Sequence, residues 1–171
     1  MDIQDAIFYR RSIRKYTDET VSDEQVTCIL EAAMMAPSAG NAQPWQFVVV
    51  RDKEKLSQIK DINPYAGMAE KAQVGILVCG DLSLEKYSGF WVQDCSAAVQ
   101  NLLLSVHNEG LGAVWTGVYP LEERVEGFRK LFKLPENVIP LAFMPIGHPG
   151  HTPKSEPRFL KDRVHQDGWQ G

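Results

Sequence analysis

The chain has little cysteine, no long apolar run and no excess of positive charge. Its three cysteines, Cys28, Cys79 and Cys95, are odd in number and widely spaced. That excludes a complete intrachain disulfide framework and a CxxC site, and makes a reducing compartment, the cytoplasm, the expected location. Cys79 lies in Val74-Gly75-Ile76-Leu77-Val78-Cys79 and reads as a buried, reduced thiol. No apolar stretch approaches the length of a membrane span. The N-terminus Met1-Asp2-Ile3-Gln4-Asp5 lacks the basic and apolar regions of a signal peptide. The net charge of −4 argues against a nucleic-acid binder, which needs a basic face. There is no internal repeat and no low-complexity segment. What remains is one ordinary globular domain, expected over residues 1–150, and a tail over residues 151–171.

The pattern of apolar residues gives a coarse order of elements. Asp2 can cap a short helix with Ile3, Ala6 and Ile7 on one face; Arg10 continues that face at its end, near the core edge. Ser22-Asp23-Glu24-Gln25 is a capping box that opens a helix with Val26, Ile29, Leu30 and Ala33 in register, stopping before Pro37. Gln46 to Val50 reads as a strand, Lys53 to Lys60 as a short helix and Asn63 to Gly67 as a loop. Val74 to Cys79 reads as a buried strand. Trp91 to Asn108 is the strongest helix, closed by Gly110. Ala97, Ala98 and Leu104 widen its apolar stripe beyond one face, so it is central in the fold or buried against a second subunit. A strand over Ala113 to Val118, a helix over Leu121 to Phe132 and a strand over Val138 to Met144 follow. Pro149, Gly150, Pro153 and Pro157 then forbid regular structure, leaving an arm that is frayed or wrapped over a partner. This order gives an α+β fold, a sheet covered by helices.

Two segments carry chemistry. Arg10-Arg11-Ser12-Ile13-Arg14 sets three guanidinium groups and a hydroxyl at a helix end, forks suited to phosphate. Taken alone, the arginines could merely complement the helix dipole, although that leaves Ser12 and the placement of Arg10 unexplained. Pro37-Ser38-Ala39-Gly40-Asn41-Ala42-Gln43-Pro44-Trp45 is a small, amide-rich loop that lets backbone approach a flat polar ligand; alone it could be a simple helix stop. Together they suggest a pocket for a phosphorylated, planar cofactor. Other motifs fail. Gly110-Leu111-Gly112 would need a glycine at position 115, where Trp115 stands. Gly112 to Gly117 has the glycine spacing of a P-loop, but Val118-Tyr119 replaces Lys-Ser/Thr. His148 and His151 have no third and fourth ligand, so no metal is expected. Ser12 and Ser38 lack His and Asp partners for a serine hydrolase.

With Arg10-Arg11-Ser12-Ile13-Arg14-Lys15-Tyr16, Ala36 to Trp45, Gly110-Leu111-Gly112-Ala113-Val114-Trp115-Thr116-Gly117 and Ile146-Gly147-His148-Pro149 in that order, nearly the whole chain resembles the nitroreductase family of FMN-dependent oxidoreductases. The resemblance implies a mixed, largely antiparallel sheet flanked by helices, in an intertwined homodimer with two interfacial FMN sites and an arm wrapping the partner. It implies a phosphate site from Arg10, Arg11, Ser12 and Arg14. Pro37, Ser38, Ala39, Asn41 and Gln43 of the other subunit would lie beside the ring. Trp115, Thr116 and Gly117 would border its N5 and O4 edge, and Arg158 would be a late basic phosphate ligand, with Lys154 competing. It further implies electron transfer from NADH or NADPH to nitroaromatics, quinones or activated alkenes by a ping-pong mechanism. The cofactor carries the chemistry, so no catalytic side chain is expected. The alternative is an FMN-binding carrier or sensor without turnover. The segment between Asp61 and Lys71 is short, which marks a compact member with an open site.

Overall fold

The computed structural model describes residues 2–169. The helices are α1 (Ile3–Tyr9), α2 (Asp23–Met34), α3 (Lys53–Ile62), α4 (Trp91–Asn108) and α5 (Glu122–Phe132); the strands are β1 (Trp45–Val50), β2 (Val74–Asp81), β3 (Gly112–Ala113), β4 (Thr116–Gly117) and β5 (Val138–Gly147). All five strands join one sheet in the order β1-β2-β5-β3, with β4 also on β5, and every strand pair is antiparallel. A parallel bridge from Ser12 to Ala113 adds the mixed component.

Alternation along the central strands sorts their side chains onto two helical layers. Val74, Ile76 and Val78 of β2 join α2 and α4 in one core, with Ile29, Cys95, Val99 and Leu102. Leu77 and Cys79 join the opposite core, with Leu56 and Ile59 of α3, Phe128 of α5 and Phe143 of β5. Glycines let the layers close: a Cβ on Gly80 would stand 2.3 Å from the Trp91 ring, and one on Gly75 would stand 2.2 Å from Phe143. Burial pushes the Cys79 and Cys95 thiols up to about 12; neither pairs with another cysteine.

The helices begin and end for local reasons. At α2, Ser22 Oγ accepts from the Gln25 amide and Gln25 Oε1 from the Ser22 amide, both at 3.1 Å, closing the expected capping box. At α4, Gly110 takes φ +74° directly after the last turn. Three expectations are corrected. First, the face of α1 that carries Ile3, Ala6 and Ile7 buries only Ala6: Ile3 and Ile7 are 70% and 53% exposed, and Ile7 lines an open cleft beside the tail. Second, the strand expected over Ala113 to Val118 is two short strands. Val114 faces Pro145 in the register of both halves; a proline has no N–H to donate, and its carbonyl accepts from the Tyr16 hydroxyl instead. Third, the loop expected at Asn63 to Gly67 is a 3₁₀ segment, Pro64–Lys71, begun by the Asn63 side chain accepting from the Tyr65 amide and by proline in the first turn. The tail is irregular through residue 160, with one 3₁₀ turn at Lys161–Arg163; Gln170 and Gly171 of the expected arm lie outside the described residues.

Candidate functional site

The arginine segment is held by the sheet. After α1 the chain runs extended, and the Ile13 amide donates to the Ala113 carbonyl at 2.9 Å. A Cβ on Gly112 would come within 2.7 Å of Ile13, so glycine there permits the close approach. Ile13 points inward, and its neighbours Ser12 and Arg14 are left exposed. Arg10 is half-buried. Burial, then Arg11, then Arg158 hold its pKa below the ordinary guanidinium value. Among the described residues, none of Arg10, Arg11, Arg14 and Arg158 forms an ion pair. Arg11 is otherwise engaged: Nη1 donates to the Phe8 and Arg10 carbonyls, both at 2.8 Å, and Nη2 donates to Ser155 Oγ. It complements the end of α1, the simpler role open to it. Ser155 also donates to the Phe8 carbonyl at 3.0 Å. The tail thus folds back over α1 and encloses a cleft of about 730 Å³ lined by residues 7–11 and 155–159. Arg158 lies in this cleft beside Arg10; Lys154 is neither in its lining nor among the charges acting on Arg10.

The loop after α2 is a tight clasp. Gly40, Asn41 and Gln43 have φ of +59°, +51° and +49°, and a non-glycine residue there stores roughly 1–3 kcal/mol of strain. Four contacts hold it. The Gln43 amide donates to Ser38 Oγ at 3.0 Å, Gln43 Nε2 to Asn41 Oδ1 at 3.2 Å, the Ala39 amide to Asp94 Oδ1 at 2.9 Å and Lys86 Nζ to the Gly40 carbonyl at 2.6 Å. Pro37, Asn41 and Gln43 are exposed; Ser38 and Ala39 are half-buried. Asp94 is the anchor that sequence reasoning missed. Its signal was an acid on the buried stripe of α4, in the first turn, where it is 5% exposed.

On β4, Thr116 is buried and its hydroxyl donates to the Phe143 carbonyl at 2.6 Å. Trp115 is 38% exposed. The space before the Gly117 Cα is open: a Cβ there would meet nothing within 4 Å. Behind it, the Gly117 carbonyl accepts from Arg124 Nη1 at 2.9 Å and Asn63 Nδ2 at 3.2 Å. Sequence reasoning missed both donors, for Asn63-Pro64 reads as an ordinary turn and Arg124 as an ordinary helix cation.

The structure sets the arginine segment and β4 on one ladder and keeps the loop apart from the arginines, while the first turn of α4 that anchors the loop packs Trp91 against Tyr119, just past β4 (ring centroids 5.0 Å). Ala113, which holds Ile13, and Gly117 stand on one ladder, roughly 13 Å apart at a strand's rise per residue. The clasp instead hangs from Asp94 in the first turn of α4, while Arg10 and Arg11 act on His107 in its last turn. That interval is about 20 Å of helix.

The sequence model of the Nitroreductase family matches residues 7–74 and 63–148. A Methanothermobacter thermautotrophicus protein, named as a candidate NADH dehydrogenase/NAD(P)H nitroreductase, is 54% identical over 169 residues, 99% of this chain and 88% of its own length. The solved structure of a candidate nitroreductase in complex with FMN, from Desulfovibrio desulfuricans, matches with a TM-score of 0.85 at 35% identity, covering 99% of each chain. The NADPH:FMN oxidoreductase of Vibrio harveyi, complexed with NAD+, matches with a TM-score of 0.87 at 28% identity, over 99% of this chain and 78% of that one. The chain belongs to the nitroreductase family. No helix among the described residues is long and apolar enough to cross a membrane.

Proposed function

We propose that the protein is an FMN-dependent oxidoreductase that passes electrons from NADH or NADPH to electron-poor organic acceptors, working as a homodimer with FMN at the interface. The observation that carries this reading is the pairing of unneutralised arginines with an open glycine backbone on one ladder. Arg10 and Arg158 share one cleft and, among the described residues, neither forms an ion pair, an excess of positive charge that a phosphate of about −2 offsets. Arg14 and Ser12 are exposed beside them, leaving a further charged donor and a hydroxyl for the same phosphate. Gly117 leaves room for a flat ring against the backbone, where an amide can polarise the ring edge without a side chain intervening.

The separation of the clasp from the arginine segment supports a site shared between two chains, Pro37, Ser38, Ala39, Asn41 and Gln43 serving the partner's ring. Bound FMN would supply a two-electron relay, with hydride accepted from NAD(P)H and the electron pair passed on to a nitroaromatic, quinone or activated alkene. The chain's own residues bind the phosphate, fix the ring edge and leave one face open to each substrate in turn. The FMN complex of the Desulfovibrio relative and the NAD+ complex of the Vibrio relative support both ligand assignments.

The test is anaerobic mixing of the purified yellow protein with NADH or NADPH, then with a nitroaromatic or quinone. The flavin absorbance should bleach and return, and steady-state double-reciprocal plots should be parallel. Flavin that stays oxidised in the presence of either donor would overturn the enzymatic reading in favour of a carrier or sensor. Intersecting lines would overturn the single shared face.

A further inference from the structure

Gly117 sits in a strand of two residues and is fixed by more than its ladder. Its carbonyl takes two side-chain donors from two different elements, Arg124 at 2.9 Å and Asn63 at 3.2 Å. The Val118 amide, on the other side of the same peptide, donates to the Leu141 carbonyl at 3.0 Å. Both donors also meet Tyr65: Asn63 Oδ1 accepts from its amide at 3.1 Å, and the Arg124 guanidinium lies 5.4 Å from the centroid of its ring. Asn63 is fully buried, with both ends of its amide committed to this network.

The position of Arg124 on its own helix makes the contact more telling. It lies in the first turn of α5, after Glu122 and Glu123, where the helix dipole disfavours a cation. Among the described residues it has no ion pair. Local helix energetics do not account for it; the Gly117 carbonyl does. A glycine is the residue whose backbone is hardest to order, and here external donors do what a side chain cannot.

We propose that Arg124 and Asn63 are positioning residues of the redox site: together they pin the Gly117 peptide at the ring edge, and Arg124 places a permanent positive charge behind it. This rests on the reading that FMN lies against Thr116–Gly117. A fixed cation beside that edge stabilises the reduced, more electron-rich cofactor, so it raises the flavin's reduction potential.

Two measurements test this on Arg124→Met and Arg124→Lys. In the apo protein, amide hydrogen exchange at Val118 should speed up at least tenfold in Arg124→Met, with the melting temperature close to wild type. In the FMN-loaded protein, the midpoint potential should fall in Arg124→Met and be largely restored in Arg124→Lys. Wild-type exchange and wild-type potential in Arg124→Met would overturn the proposal. Should Arg124→Met fail to fold, Arg124→Gln, which keeps a donor without the charge, decides the matter: a lowered potential supports the proposal and an unchanged one overturns it. If the wild-type protein takes up no FMN, the functional reading fails and the claim on the potential falls with it, while exchange in the apo protein still reads the pinning separately.

Discussion

Burial, then Arg11, then Arg158 disfavour the charge on Arg10 in the protein without cofactor, which makes its role separable from folding. Arg10→Met keeps the half-buried stem and removes one of the crowded charges. The apo protein should melt no lower than wild type, while FMN affinity falls at least tenfold, since a charge-assisted contact is worth roughly 1.5–3 kcal/mol and about 1.4 kcal/mol is a factor of ten. Flavin fluorescence titration beside thermal melts reads both; a lower melting temperature with unchanged affinity would contradict the assignment. The same titration compares Arg158→Ala with Lys154→Ala, and only the first should weaken binding as strongly.

His107 reports on the same charges. Burial first, then Arg10 and Arg11, hold its pKa below the ordinary 6.5. Below that pH the unfolded chain binds more protons than the folded one, so apo stability is retained above it and declines as pH falls through the window beneath it. The melting temperature of the apo protein should therefore drop on acidification, and less so in His107→Gln. Bound phosphate offsets the arginines, so FMN should flatten the wild-type curve; a wild-type apo curve as flat as that of His107→Gln would contradict this.

At the scale of elements, α4 organises both the core and the clasp. Its first turn carries Asp94, whose Oδ1 holds the Ala39 amide and whose buried Oδ2 has no partner among the described residues. Asp94→Ala should leave that amide unpaired, costing about 1–3 kcal/mol. Exchange at Ala39 should accelerate and FMN affinity should fall, although Asp94 itself is buried. Unchanged exchange and affinity would count against the clasp.

The elements that were legible in the sequence are those with a complete local signal. The capping box at Ser22–Gln25 marked the start of α2, and Gly110 the end of α4. What escaped depends on distant partners. The break between β3 and β4 follows from Pro145, a residue of another strand. The exposure of Ile3 and Ile7 depends on what covers α1, which periodicity cannot reveal. The site divides in the same way. The arginines and the clasp announce themselves by type and spacing, whereas Asp94, Asn63 and Arg124 matter only because the fold brings them to backbone groups distant in sequence.

On the scale of the whole molecule, the single chain leaves much apolar surface uncovered. Ile3, Ile7, Phe8 and Tyr9 on α1 and Phe159, Leu160, Val164 and Trp169 on the tail are all exposed, a quantity that a stable monomer rarely presents to water. Two copies burying these faces would form an interface on the order of 2,000 Å² or more. Sedimentation should show a dimer at micromolar concentration, and deletion of residues after Gly150 should weaken dimer and flavin binding together. A stable monomer that keeps FMN would contradict the shared site. The central claim, that the arginine cluster exists to hold the phosphate of a flavin whose ring lies along β4, is tested most directly by titrating the apo protein with FMN and with riboflavin, which share the ring and differ in the phosphate. FMN should bind at least a hundredfold more tightly, and the difference should shrink as salt screens the arginines. Equal affinity for the two would contradict it.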